Sequence, residues 1–141
     1  MIPEKNLLLL AHLRENARKS LASISKATNI PATTLFDKLK EIESLVIKHT
    51  TLVDFNQLGY GIRKNIILKG KDKDKLKQFL INHANTNSVY EINTGYDFMI
   101  ECVFKDYGSY HKFLNELDEL SIEKRVFDII SDNKREGFLS Y

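Results

Sequence analysis

The sequence predicts an α+β protein built in two parts. Three segments of helical period crowd into the first 44 residues. A stretch bearing Asn56, Gly59 and Gly61 then breaks all periodicity, and strand and helix patterns alternate beyond it. With 141 residues, 43% of them apolar, two separate cores lie near the lower limit of size, so oligomerisation is the expected support.

The first helix is expected from about Pro3 to Asn16. Pro3 can open a helical turn, and Leu9, Leu10 and Leu13 recur at the spacing of a buried stripe. Leu7 and Leu8 put apolar surface on other sides, more than one small domain buries by itself, which points to a partner chain. Ser20 offers a side-chain oxygen to cap a second helix carrying Leu21, Ile24 and Ala27 at i, i+3 and i+6. Thr28 to Pro31 interrupt the pattern, and Leu35, Leu39 and Ile42 mark the inner face of a third helix ending near Ser44. Two short helices flanking a tight turn have the spacing of a helix-turn-helix, in which the first braces the second so that its N-terminal residues enter the DNA major groove. Val46 to Val53 is rich in β-branched residues and suggests the strands of a small wing. Residues 1–53 therefore read as a winged helix-turn-helix, and 54–62 as a linker.

Over 63–131 the order is β-α-β-β-α-β. Ile66, Ile67 and Leu68 read as a strand, Leu76, Phe79 and Leu80 as a helix stripe, and Val89 to Ile92 as a second strand. After a turn at Gly95, Phe98, Ile100, Cys102 and Phe104 make one wholly apolar strand face. Tyr110, Phe113, Leu114 and Leu117 follow as a helix stripe, and Val126 to Ile130 as a last strand. This is a ferredoxin-like unit with both helices on one face of an antiparallel sheet, leaving the other face, with Met99 and Val103, bare. A second copy of the chain is the simplest cover. The tail, 132–141, is polar around Asn133 to Glu136 and ends in Phe138, Leu139 and Tyr141, a composition that suits either disorder or docking on a neighbour.

The order of elements, taken with Glu15 to Ser20, Leu58-Gly59-Tyr60-Gly61 and Tyr90 to Asp97, resembles the Lrp/AsnC feast/famine regulators over nearly the whole chain. The resemblance implies a transcription regulator that binds double-stranded DNA. It implies a homodimer formed through the second, ACT-like (RAM) domain, with assembly into tetramers or octamers, and an amino acid or related metabolite bound between second domains. Three features depart from the family pattern. Pro31 stands where the reading helix usually has a serine cap; Asp37 stands where a basic residue is common; and Gly95-Tyr96-Asp97 shortens by one residue the turn that borders the effector in relatives.

On the third helix, Thr33, Thr34, Phe36, Asp37, Lys38 and Lys40 lie off the apolar stripe and are candidates for DNA contact, against the plainer alternative of a solvated face. Thr33 and Thr34 suit bases or phosphates, Lys38 and Lys40 phosphates, Phe36 a thymine methyl, and Asp37 a cytosine amino group. Arg18 and Lys19 before the second helix, and Lys48 in the wing, fit a backbone clamp and equally fit ordinary surface charge. For an effector, the candidates are Asn93, Thr94, Gly95, Tyr96 and Asp97, whose other reading is a hairpin with Gly at positive φ and Asp in a local hydrogen bond.

Net charge is +2, and the whole excess falls before Asn56: eight Lys/Arg against six Asp/Glu there, thirteen against thirteen afterwards. That excess is compatible with phosphate binding without requiring it. His12, His49, His83 and His111 lack metal-binding spacing, no Gly-rich phosphate loop or Gly-x-Ser-x-Gly elbow is present, and Cys102 stands alone. Neither a cofactor nor catalysis is expected, and one cysteine without a signal segment or membrane span points to the cytoplasm. Two other functions fit the architecture. One is a DNA-independent subunit binding a metabolite or partner; the other is an enzyme like the siroheme decarboxylases, which resemble the same two-domain plan and would need His49, His83, His111 or Arg63 to converge.

Overall fold

The computed structural model describes residues 1–140, so Tyr141 at the end of the apolar tail lies outside the described residues. The chain divides into two compact units: Met1–Leu52 together with the tail from Asn133, and Val53–Asp132. No helix among the described residues is long and apolar enough to cross a membrane.

The first unit holds three helices, α1 (Glu4–Glu15), α2 (Leu21–Thr28) and α3 (Ala32–Ile42), followed by a 3-10 turn at Glu43–Leu45. Pro3 opens α1 with its carbonyl, which accepts from the Asn6 and Leu7 amides at 3.0 and 3.1 Å. The Ser20 hydroxyl caps α2 as expected, accepting from the Ser23 amide at 3.1 Å. That helix ends at Asn29, whose φ of 58° lies in the left-handed region an Asn tolerates. Ser25 Oγ donates to the Ile30 carbonyl at 2.6 Å and Thr28 Oγ1 to the Ile24 carbonyl at 2.7 Å, so the turn into α3 is tied to α2. Leu9, Ile24, Ile30, Leu35 and Ile42 form the buried core, with Leu8, Leu10, Leu13 and Leu21 packed around it.

Three expectations need correction in this unit. Ala27 is exposed, because the short α2 turns Ile24 alone fully inward. Leu39 is 37% exposed; the inward face of α3 runs through Leu35, half-buried Lys38 and Ile42. Lys38 is tolerated there because its ammonium pairs with Glu41 at 3.1 Å, and Glu41 in turn accepts from buried Asn6 of α1 at 3.1 Å. The wing is absent: Val46 to Val53 forms no strand, since β-branched residues supply strand propensity but no second segment lies alongside to accept the ladder.

The tail completes the first unit. Arg14 Nε donates to the Phe138 carbonyl at 2.6 Å, and its Nη2 to the Glu136 carbonyl at 3.0 Å while pairing with the Glu136 carboxylate at 3.3 Å. On the same helix His12 is buried, and Lys19, which also pairs with Glu15 at 3.4 Å, approaches its Nδ1 to 2.8 Å. An ammonium only donates, so Nδ1 accepts and the ring is neutral. Burial, and then the Lys19 charge, hold the His12 pKa below its ordinary value, with Glu15 opposing.

In the second unit the stretch read as a linker is an ordered turn: Asp54 Oδ1 accepts from the Asn56 and Gln57 amides at 3.0 and 3.4 Å, and Gly59 takes a φ of 85°. The elements that follow are β1 (Ile62–Gly70), α4 (Lys73–Asn82), β2 (Thr86–Glu91), β3 (Phe98–Phe104), α5 (Tyr107–Leu120) and β4 (Ser121–Asp128). The strands form one antiparallel sheet in the order β2-β3-β1-β4, the ferredoxin-like arrangement expected. Asp72 and Asp106 cap the two helices. Ile66 opposite Ile100 and Leu68 opposite Phe98 set the register that turns these side chains toward α4 and α5, where Leu76, Leu80, Tyr110, Phe113 and Leu117 meet them. The opposite sheet face carries Ile67, Tyr90, Met99, Val103 and Phe127 among Arg63, Asn65, Glu101 and Arg125, and on it Tyr90 and Phe127 are 53% and 45% exposed. Arg63 lies between Glu101 and Asp132, with a contact of 2.8 Å to each.

Two predictions follow from these cores. Phe113 is buried with ring centroids 5.8 Å from Phe79 and 5.2 Å from Phe104, so Phe113→Ala should cost about 3–5 kcal/mol in denaturant unfolding. For His12 the folded pKa is lowered, so below about pH 6.5 the unfolded chain takes up a proton that the folded unit refuses. Stability should therefore be full above that pH and fall as pH drops from 7 to 5. The fall should be shallower in His12→Gln, and an NMR titration should place the His12 midpoint under 6.5.

Candidate nucleic-acid interface

With Leu35 and Ile42 committed to the core, the helical period places Thr33, Phe36, Asp37 and Lys40 on one outward stripe of α3, at i, i+3, i+4 and i+7. All four are exposed, and Phe36 keeps 51% of its surface. Lys40 Nζ sits 4.6 Å from the centroid of the Phe36 ring, which holds the cation on the outward face. Thr34 is half-buried at the edge of this stripe. Lys38 is on the other side, its charge taken by Glu41.

Pro31 precedes α3 without any side-chain cap, as the sequence implies, and the first helical bond is the Leu35 amide to the Pro31 carbonyl at 3.0 Å. At this helix start Leu21, Ala32, Thr33, Phe36 and Asp37 line an open hollow of about 500 Å³. Sequence reasoning found Thr33, Phe36 and Asp37 but not Leu21 or Ala32. Leu21 reads as core in a helix-period pattern, and a lone Ala carries no signal of its own.

Arg18 lies in the turn between α1 and α2, its amide bonded to Asn16 Oδ1 at 3.0 Å and its side chain exposed. Lys19 is half-buried, drawn to His12 and Glu15 and away from solvent. Lys48 is exposed in the irregular segment that replaces the expected wing. Thus the outward α3 stripe and Arg18 leave polar and basic side chains exposed, as Lys48 does, while Lys19 and Lys38 are drawn into ion pairs.

In the second unit, the candidate effector residues form a closed turn. The Ile92 amide donates to the Asp97 carbonyl at 2.9 Å, Thr94 and Gly95 take φ of 68° and 97°, and Thr94 Oγ1 donates to Asn93 Oδ1 at 2.9 Å. Asp97 pins this turn to the end of β1: its amide donates to the Leu68 carbonyl at 2.7 Å and its Oδ2 accepts from the Gly70 amide at 2.9 Å. Tyr96 donates from its hydroxyl to Glu123 at 3.1 Å. Asp97 therefore has the local hydrogen-bonding role, with one carboxylate oxygen already used.

Three of the groups an enzyme would need belong to the second unit, each with its own neighbours. His83 packs edge-on to Phe113 at 4.7 Å and its Nδ1 accepts from the Asn85 amide at 3.1 Å. His111 lies by Tyr107 and Tyr110 on α5, while Arg63 is held by Glu101 and Asp132. Cys102 is buried on the helix-facing side of β3, where desolvation first, and the neighbouring Glu101 charge second, push its thiol up to about 12. No group of three or more His, Cys, Asp or Glu among the described residues could hold a metal ion.

No protein-family model matches the chain. An uncharacterised HTH-type transcriptional regulator of Pyrococcus abyssi is 22% identical over 143 residues, 98% of this chain and 97% of the relative. A second, from Pyrococcus furiosus, is 24% identical over 135 residues, 92% and 91% of the two chains. Among solved structures, LrpC of B. subtilis superposes with a TM-score of 0.86 at 16% identity, covering 95% of this chain and 98% of that one. A transcriptional regulator of Neisseria meningitidis in complex with L-Met gives 0.84 at 16% identity (96% and 94% covered), and E. coli AsnC gives 0.78 at 15% (96% of each). The chain thus has the fold of LrpC and AsnC and is similar along nearly its whole length to proteins described as HTH-type transcriptional regulators.

Proposed function

We propose that the protein is a sequence-specific regulator of transcription that binds double-stranded DNA through α3, acts as a homodimer able to assemble further, works in the cytoplasm and catalyses no reaction. The observation that carries this reading is the outward stripe of α3, left free of the core and ending in a cation fixed over Phe36. Thr33 and Thr34 at the helix start face bases or sugar-phosphate, while Lys40, Arg18 and Lys48 clamp phosphates. Lys19 and Lys38, being partly engaged, contribute field more than direct contact.

The bare sheet face supports the dimer, since Tyr90 and Phe127 expose apolar surface that a second sheet would cover. An amino acid or related metabolite would act at the turn formed by Asn93, Thr94, Gly95, Tyr96 and Asp97; the L-Met complex of the Neisseria meningitidis protein supports that class of effector. With Asp97 Oδ2 on the Gly70 amide, only the second carboxylate oxygen is left to meet the effector's ammonium group.

Two measurements test this. Affinity for the protein's own upstream DNA and for a scrambled duplex is measured across a salt titration; selective binding that weakens with salt is expected, and equal, salt-insensitive binding overturns the reading. In the same assay Lys40→Gln should weaken both duplexes alike and reduce the log–log salt slope by about 0.9. In sedimentation, Phe127→Glu on the bare face should shift the protein toward the monomer without changing its helical content, and an unchanged dimer overturns that assignment.

A further inference from the structure

We propose that Asp37 is the specificity-determining residue of the α3 face, and that the hollow beside it takes the major-groove edge of a cytosine. The inference rests on the DNA-binding reading above and assigns the base that this site selects.

Asp37 is exposed and has no ion pair or hydrogen bond among the described residues. Neither of the two nearest cations along α3 pairs with it: Lys38 is on Glu41, and Lys40 lies over the face of Phe36. A bare carboxylate on a surface that meets phosphates is repelled unless a donor answers it. Two base edges offer an amino donor in the major groove, adenine N6 and cytosine N4. Adenine sets the acceptor N7 beside its amino group, where a second carboxylate oxygen would be repelled. Cytosine instead sets the apolar C5 edge beside N4.

The walls of the hollow fit the second pattern. Leu21, Ala32 and the half-exposed Phe36 ring are apolar and adjoin Asp37, and Thr33 supplies a hydroxyl able to donate to O6 of the paired guanine. The same walls have room for a methyl group at C5, so 5-methylcytosine suits the site. Thymine does not, because its O4 would face the carboxylate.

Binding sites are selected from a randomised duplex library by the wild-type protein, by Asp37→Asn and by Asp37→Ala, and the consensus duplexes are then titrated. The wild type should select a cytosine at one position of each half-site. Replacing it by thymine should weaken binding about ten- to a hundredfold, while 5-methylcytosine should bind at least as tightly as cytosine. Asp37→Asn should move the preference at that position to adenine, which an amide serves through N6 and N7, and Asp37→Ala should lose discrimination there and nowhere else. A selective wild type whose preferences are unchanged in both variants overturns the role of Asp37 alone. A wild type that selects no sequence overturns the DNA-reading function together with it.

Discussion

The short turn between α2 and α3 sets what the first unit can present. Asn29 in the left-handed region reverses the chain in few residues, and Ile30 goes into the core. Ser25 and Thr28 tie the backbone on either side. Together these fix the rotation of α3 about its own axis. Because a helix advances 100° per residue, a slip of one position would bury Phe36 in place of Leu35 and expose Ile42 in place of Glu43. The free stripe, the cation over Phe36 and the hollow at the helix start all depend on that rotation. The turn residues lie outside the stripe, yet they determine which side chains it presents.

A different constraint governs the second unit. The register of β1 between β3 and β4 sorts every strand residue to one face or the other, and the two helices satisfy only one of them. The remaining face is mixed, with Arg63, Glu101 and Arg125 interleaved among Ile67, Met99, Tyr90 and Phe127. Neutralising Arg63 between Glu101 and Asp132 lets a guanidinium sit 12% exposed without a lone charge on the surface. On this face apolar side chains and paired ions alternate, and no element of the unit covers Tyr90 or Phe127 fully.

Much of this was legible in the residues. Element order, the Ser20 cap, the missing cap at Pro31 and the helix-facing side of the sheet follow from periodicity and local chemistry, which act within a few residues. Most of the failures share a cause. Leu39 and Lys38 exchange their expected places because a buried Asn6 on another helix holds Glu41, and Glu41 holds Lys38. The wing failed because strand propensity does not supply a strand to pair with. Leu21 and Ala32 escaped notice as walls of the hollow because one looks like core and the other like filler. These lie where segments distant in sequence meet or fail to meet, where local pattern carries no information, whereas the exposure of Ala27 and the turn at Asp54 have local causes.

The clasp of Arg14 on the carbonyls of Glu136 and Phe138 makes the first unit discontinuous along the chain. A ribosome releases α1 early and delivers the tail only after the whole second unit has been synthesised. The head can pack its three helices as they emerge, yet the backbone contacts of Arg14 must await residues 136–138. A change at Glu136 to Phe138, more than a hundred residues from α1 along the chain, is therefore a structural change to the head.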